Sequence, residues 1–275
     1  MELNKKVAII TGGSGGIGRS IAEIFAKNGA KVFIVDRKLS DLKKVAFNLR
    51  QRGLNIYFFK GDISKLPDIR RVVGNIFKSE KKIDLLVNCA GVQAPIGPFI
   101  GTNSKDWLRN LSVNLLGTVL MTKEVLPFMI KQKSGSIINF SGGGATSSRP
   151  NFSAYATSKI GVVKFTEILA EEVKEYSVRI NAIAPGAVNT SMIKEILSAG
   201  KKSGDKEIRN VKQRFKEGFN PPELAARLAL FLASRKSYNL TGRLISAEWD
   251  SWDKWNKKDI EEIMKSEKYL LRRVK

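Results

Sequence analysis

Tyr155 and Lys159 stand four residues apart at the end of the stretch S-G-G-G-A-T-S-S-R-P-N-F-S-A-Y-A-T-S-K, which runs from Ser141 to Lys159. On a helix that spacing places both side chains on one face, a turn apart. A phenol with its ordinary pKa near ~10 is a poor proton donor or acceptor at neutral pH. An ammonium group a few ångström away favours the phenolate and draws that pKa toward the working range. Ser141 follows a hydrophobic run, Ser136 to Phe140, that reads as a buried strand, and its hydroxyl is offered to the same substrate oxygen. Taken alone, Tyr-x-x-x-Lys is equally the pattern of an accidental surface pair, so the elements around it must decide.

The first of those elements is at the start of the chain. Val7 to Thr11 is an apolar run that ends in T-G-G-S-G-G-I-G, after which Ile17, Ile21, Ile24 and Phe25 recur at helical spacing. Strand, glycine turn and helix form the context in which a glycine motif binds phosphate. Gly12 permits the tight turn, Gly16 lets the backbone approach a pyrophosphate, and Gly18 lets the helix pack closely on the sheet. Ser14 and Gly15 complete the loop, and the phosphate oxygens fall on the N-terminal amides of the helix. The next apolar run, Lys31 to Val35, ends in Asp36, about 20 residues further on, where a carboxylate accepts hydrogen bonds from an adenosine ribose and repels a 2′-phosphate. Arg37 beside it is able to hold that phosphate. No Lys or Arg lies within Gly13, Ser14 and Gly15, so the pattern favours NAD over NADP.

Composition limits the chemistry further. The 275 residues are 43% hydrophobic, enough for one good-sized core. Histidine is absent and Cys89 is the one cysteine, which removes Ser-His-Asp and Cys-His nucleophiles, ordinary zinc sites and internal disulfides. No metal site is expected. The N-terminus lacks the features of a signal peptide, no apolar run is long enough for a membrane span, and the expected location is the cytoplasm. The net charge of +22 suits a polyanion binder, but the basic residues are spread over every segment. No nucleic-acid or membrane partner is expected; the positive field suits an anionic small molecule.

Beyond Asp36 the pattern alternates. Helices are predicted over 41–50, 69–77, about 105–130 and about 153–175, and strands over 56–59, 83–87, 136–140 and 178–184. Alternation of this kind implies an α/β fold: a single-domain, Rossmann-type doubly wound parallel sheet with helices on both faces. Ligands of such sheets bind at the carboxyl ends of the strands. Gly12, Asp36, Asp62, the run Asn88-Cys89-Ala90-Gly91, Ser141 and Pro185-Gly186 all fall at those ends.

With these motifs in order, the chain resembles the short-chain dehydrogenase/reductase family. The likeness rests on T-G-x-x-x-G-I-G (Thr11 to Gly18), Asp62, N-C-A-G (Asn88 to Gly91), Asn114, Ser141, Y-A-T-S-K (Tyr155 to Lys159) and P-G-A-V-N-T (Pro185 to Thr190), over about residues 5 to 245. It implies that Tyr155 is the acid/base, that Ser141 positions the substrate oxygen, and that Lys159 lowers the tyrosine pKa and binds the nicotinamide ribose. It implies that Asn114 holds a water linking Lys159 to solvent. Ile17 would then pack near the nicotinamide, Asp62 and Ile63 contact adenine, and Asn88, Ala90 and Gly91 flank the cofactor. Pro185, Gly186, Val188 and Thr190 would complete its site, the last two at the carboxamide. The resemblance also implies a homo-oligomer, tetramer or dimer, built on the helices at 105–130 and 153–175.

Two departures are specific to this chain. Serine and tyrosine are 14 apart, one more than the family spacing, which implies an insertion in the loop 142–152. That loop holds Arg149 and Phe152 and, with Gln93 and Ala94, is expected to shape the substrate pocket; Arg149 is either an anion contact or a solvated charge. Residues 1–245 form the dinucleotide-binding and catalytic domain. Residues 246–275 form an extension in which Trp249, Trp252 and Trp255 step by three, packing on the body or a neighbouring subunit, or stacking on a sugar. The expected activity is an NAD(P)-dependent interconversion of a secondary alcohol and a ketone on a small molecule, with a carbohydrate-related substrate suggested by the S-G-G-G-A-T loop and W-D-x-W tail. The alternatives are an NADPH-dependent 3-oxoacyl thioester reductase, a sugar-nucleotide epimerase or dehydratase, and a non-catalytic basic binding module.

Overall fold

Short apolar runs buried on both faces become parallel strands, and the amphipathic segments between them become crossover helices. The computed structural model describes residues 1–273. In chain order these form β1 (Val7–Thr11), α1 (Gly16–Lys27), β2 (Lys31–Asp36), α2 (Leu39–Arg50), β3 (Ile56–Lys60), α3 (Leu66–Glu80) and β4 (Leu85–Asn88). The second half comprises α4 (Ser104–Leu111), α5 (Gly117–Gln132), β5 (Gly135–Phe140), α6 (Ser153–Glu172), β6 (Val178–Ala184), α7 (Ser191–Ala199), α8 (Asp205–Glu217), α9 (Pro222–Ala233), β7 (Leu244–Ser246) and α10 (Lys257–Met264).

The sheet order is β3-β2-β1-β4-β5-β6-β7, with every pair parallel. The chain therefore starts near the middle, winds outward to β3, returns to β4 and winds outward the other way. This is the doubly wound Rossmann-type arrangement, and the reversal between β1 and β4 opens a crevice at the carboxyl ends of the strands. Ile21 and Phe25 of α1, Leu42 of α2 and Leu228 and Leu232 of α9 bury one face of the sheet. Ile69 and Ile76 of α3, Met121, Val125 and Met129 of α5 and Leu169 of α6 bury the other. By length and composition 104–132 is apolar enough to cross a membrane; here its apolar face is this second core.

The helix expected over 105–130 is continuous but not uniform. Between α4 and α5 the turn Ser112–Leu116 is a π-helix. Wide turns of this type concentrate at functional sites, and this one carries Asn114.

The last segment folds back on its own body. Leu244 N–H of β7 donates to the Tyr269 carbonyl at 2.9 Å. The buried Arg243 guanidinium donates to the carbonyls of Ile263 (3.2 Å), Met264 (3.4 Å) and Ser266 (3.1 Å). Ile260 and Ile263 of α10 join the core beneath α1 and α9. The three tryptophans do not share a face. Trp252 is buried against Phe231 and Trp255 packs on Phe231 and Tyr269, whereas Trp249 is 75% exposed. Residues 274 and 275 of the expected extension lie outside the described residues.

Candidate active site

Two cavities meet at the carboxyl ends of the strands. The smaller, of about 480 Å³, runs along the glycine turn and the ends of β2 and β4; the larger, of about 870 Å³, lies over the ends of β5, β6 and β7. Ile17, Thr190 and Met192 line both, so they form the partition at which a ligand of one meets a ligand of the other.

The smaller cavity has the shape a dinucleotide requires. Gly12 turns with φ +67°, and a Cβ there would come within 2.7 Å of Ala90 Cα. A Cβ on Gly18 would come within 2.2 Å of the Gly12 carbonyl oxygen, so only glycine lets α1 begin so close to the turn. Ser14, Gly15 and Gly16 line the cavity beside the amino end of α1, where its helix dipole favours phosphate. The Ser14 hydroxyl donates to the Asp36 carboxylate at 2.5 Å and Arg37 N–H donates to its other oxygen at 2.7 Å. Asp36 and Arg37 both line the cavity, with Asp62, Ile63, Ala90 and Gly91. Asp62 accepts from the Ser64 amide and hydroxyl at 3.0 and 2.7 Å, which fixes the turn into α3. The residues present fit a nicotinamide dinucleotide, NAD or NADP.

Other expected cofactor contacts are placed differently. Asn88 lines neither cavity; it donates to Thr122 Oγ1 (3.1 Å) and Asn139 Oδ1 (2.9 Å) and ties β4 to β5 and α5. Its direction is set by the pleat, which points it out of the sheet toward α5 and away from both cavities. Pro185, Gly186 and Val188 line the larger cavity, and of that motif only Thr190 reaches the smaller one. Thr11, which carried no expectation beyond the motif, accepts from the amides of Cys89 (3.1 Å) and Ala90 (3.2 Å) and locks the ends of β1 and β4 together.

Tyr155 lies in the larger cavity, and Lys159 lies one turn beyond it on α6. Lys159 is 4% exposed; its ammonium donates to the Phe140 carbonyl at 2.8 Å and lies 5.6 Å from the Tyr155 ring centre. Burial lowers its pKa to about 8, with the Cys89 thiol acting in the opposite direction. Burial raises the Tyr155 phenol above its usual value, and the Arg149 guanidinium works against that rise. Burial pushes Cys89, which lines the smaller cavity, up to about 12, so it is an inert thiol there. Asn114 makes no hydrogen bond to Lys159. Its oxygen accepts from Val92 N–H (2.8 Å), and its amide donates to Val92 O (2.9 Å), Asn110 Oδ1 (2.8 Å) and Ser158 Oγ (3.0 Å). The π-turn thus delivers a side chain that fastens the loop after β4 to α6.

Ser141 does not meet the expectation. Its amide donates to Ile183 O at 2.8 Å and so continues the β5–β6 ladder. Among the described residues its hydroxyl is buried without a partner, and it lines neither cavity. The residue facing Tyr155 is Gly142, where a Cβ would lie 2.3 Å from the phenolic oxygen. Gly142 stands at the spacing the resemblance assigns to the serine, and there the chain faces Tyr155 with a bare backbone in place of a hydroxyl. Phe152 is also corrected. It is fully buried, lines neither of these cavities and forms the pedestal on which Arg149 rests, 4.0 Å from its ring centre. Gln93 and Arg149 do line the larger cavity, and Arg149 is ion-paired to Glu207 rather than solvated.

The larger cavity has further walls that no motif announced. Glu207, Asn210, Gln213, Arg214 and Glu217 present one face of α8 to it, and Trp249 and Asp250 line it as well. Arg214 pairs with Glu248 at 2.8 Å, which secures α8 to the chain after β7. The i, i+3, i+4, i+7 recurrence of polar groups in 207–217 was the available signal; a polar helical face usually means solvent, so periodicity alone did not separate the two cases.

The sequence matches the short chain dehydrogenase profile over residues 6–200. It is 36% identical over 248 residues to the oxidoreductase UcpA of Salmonella typhimurium, covering 88% of this chain and 92% of that protein. It is 31% identical to the 3-oxoacyl-[acyl-carrier-protein] reductase FabG of Thermotoga maritima, covering 90% of this chain and 98% of that one. The fold superposes on the crystal structure of NAD+-bound xylitol dehydrogenase with a TM-score of 0.84 and 26% identity, covering 90% and 98% of the two chains. Fold, glycine turn and sequence kinship agree, and the chain belongs to the short-chain dehydrogenase/reductase family of oxidoreductases.

Proposed function

We propose that the protein interconverts a secondary alcohol and a ketone on a polyhydroxylated, carbohydrate-related small molecule, with NAD as the favoured cofactor. The observation that carries this reading is the position of the Tyr155 hydroxyl: it faces the bare backbone of Gly142 in the larger cavity, whose wall of Ile17, Thr190 and Met192 is shared with the dinucleotide cleft. A bound nicotinamide supplies the hydride acceptor or donor. In oxidation Tyr155 accepts the proton of the substrate hydroxyl; in reduction it returns a proton to the carbonyl oxygen. Lys159 stabilises the phenolate and passes the proton outward past Asn114. The Asp36 carboxylate, held at the ribose end of the cleft by Ser14, favours NAD.

The substrate class rests on the cavity walls. Glu207, Asn210, Gln213 and Arg214 supply donors and acceptors along one face, and Trp249 offers an exposed aromatic ring on the other. Forked polar groups beside an aromatic platform suit a polyol or sugar ring better than an acyl chain. Leu108, Leu116, Ile160 and Ile168, at 60, 50, 43 and 53% exposure on or between α4, α5 and α6, support self-association through those helices. The test is a panel of polyols, sugars, cyclic alcohols and 3-oxoacyl thioesters assayed for NAD(P)H formation or loss. The reading predicts turnover of polyols or sugars with NAD, abolished in Tyr155→Phe while cofactor binding persists. Preferential reduction of 3-oxoacyl thioesters with NADPH would replace the substrate assignment, and a fully active Tyr155→Phe would refute the mechanism.

A further inference from the structure

The Tyr155 hydroxyl makes no hydrogen bond among the described residues, and Gly142 offers it no side-chain donor. A buried phenolate without such a donor needs fixed positive charge. One such charge is Lys159, whose ammonium is already engaged by Phe140 O. The other is Arg149, 5.7 Å from the Tyr155 ring centre and only 17% exposed in its side chain.

Arg149 is unusually constrained for a loop arginine. Its guanidinium stacks on the buried Phe152 ring and pairs with Glu207 of α8; with the Gln93 amide turned to the orientation that satisfies both its ends, both terminal nitrogens also donate to the Gln93 oxygen at 3.0 and 3.3 Å. Gln93 is itself 2% exposed, and its amide nitrogen donates to Met192 O at 3.0 Å. Three segments of the chain therefore converge on one cation: the loop after β4, the base of α6 and the middle of the α7–α8 region.

We propose that Arg149 is a positioning residue for the acid–base step, its guanidinium locked by Gln93, Glu207 and Phe152 so that a fixed positive charge stands against Tyr155 where Gly142 provides no hydroxyl. The inference rests on the reading of Tyr155 as the acid/base given above. The charged and titratable groups facing Tyr155 are Arg149 from the loop, Lys159 from α6, Cys89 from the end of β4 and Glu195 from α7, with Glu207 of α8 behind Arg149. The charge of Arg149 opposes the upward pull of burial on the phenol. An opposite charge at this range lowers a pKa by roughly 1–3 units, and Glu207 cancels part of it, so about one unit is expected.

The test is an ultraviolet phenolate titration of Tyr155, taken as the difference between each protein and its Tyr155→Phe counterpart, together with the pH profile of kcat and the NADH affinity. In Arg149→Met the phenolate midpoint and the acid limb of oxidative kcat should both move up by about one unit, with NADH affinity unchanged. Arg149→Lys should restore most of the shift, and Glu207→Gln should move the midpoint down. A folded Arg149→Met protein that titrates like the parent overturns the proposal. If Arg149→Met does not fold, Glu207→Gln decides: a midpoint that stays or rises overturns it. The titration needs no substrate, so it stands or falls separately from the substrate panel.

Discussion

Lys159 is a buried ammonium with one partner, the Phe140 carbonyl. Its pKa lies at about 8 in the folded protein against 10.5 for an ordinary lysine. Holding the proton in the fold therefore costs about 3 kcal/mol. The native pKa is the lower of the two, so between pH ~8 and ~10.5 the unfolded chain binds more protons and stability rises with pH. Below pH ~8 the whole cost is present. Lys159→Met keeps the stem and removes the charge, but leaves Phe140 O without its donor, which costs about 1–2 kcal/mol. The variant should be more stable than the parent at pH ~7 by about 1–2 kcal/mol, a gain of a few degrees in Tm, and should lose turnover. Urea unfolding of both proteins at pH ~7 and ~9.5 isolates the effect, because Cys89 and Tyr155 titrate in both and largely cancel in the difference. The advantage of the methionine protein should shrink or reverse at the higher pH. A variant less stable at pH ~7, or an advantage that does not change with pH, would refute the account of Lys159 as a strained ammonium kept for chemistry.

Ser141→Ala removes a buried hydroxyl that has no partner, so stability should hold or rise slightly and turnover should stay within about twofold of the parent; a large loss of kcat would restore Ser141 to the mechanism. Gly142→Ala places a methyl where the Tyr155 hydroxyl now lies and should lower kcat by about 100-fold with little change in NADH affinity, read by steady-state kinetics and fluorescence titration. Asp36→Ala removes the carboxylate beside Arg37 and should shift the NADP-to-NAD ratio of kcat/KM toward NADP by about tenfold. Trp249→Ala should raise the substrate KM without moving the unfolding midpoint, because the ring is 75% exposed and carries little of the core.

The parts of the fold legible in the sequence were those whose pattern is local. Val7–Thr11 and Val178–Ala184 have the strand bounds that their apolar runs predict, and Gly12, Ser14, Gly18 and Asp36 come together because strand, turn and helix are contiguous there. What was not legible depends on where distant segments cross. The π-turn at Asn114 presents a side chain hydrogen-bonded to Val92, a residue of another loop, and helical periodicity carries no trace of it. Arg149 reads as a loop charge until Glu207, 58 residues on, is brought against it. Trp249, Trp252 and Trp255 share a spacing of three, but only Trp252–Lys254 form a 3₁₀ turn, with Trp249 before it and Trp255 extended after it, so equal spacing does not give a common face.

At the serine the motif and the side-chain direction part company. At the end of a strand a shift of one residue reverses the face to which a side chain points. Ser141 still pairs with Ile183 and therefore obeys the alternation of β5, which sends its hydroxyl inward; Gly142 is the first residue past the ladder and is the one that meets Tyr155. A count of 14 from serine to tyrosine is compatible with a longer loop or with a displaced serine, and only the ladder distinguishes them. The displaced serine leaves the acid–base centre with a phenol, a strained ammonium and a clamped guanidinium, all on or beside the first turns of α6. A site assembled in this way depends on charge rather than on a second hydroxyl. Its activity should therefore respond more to neutralising Arg149 or Lys159 than to deleting Ser141, an ordering that the variants above measure directly.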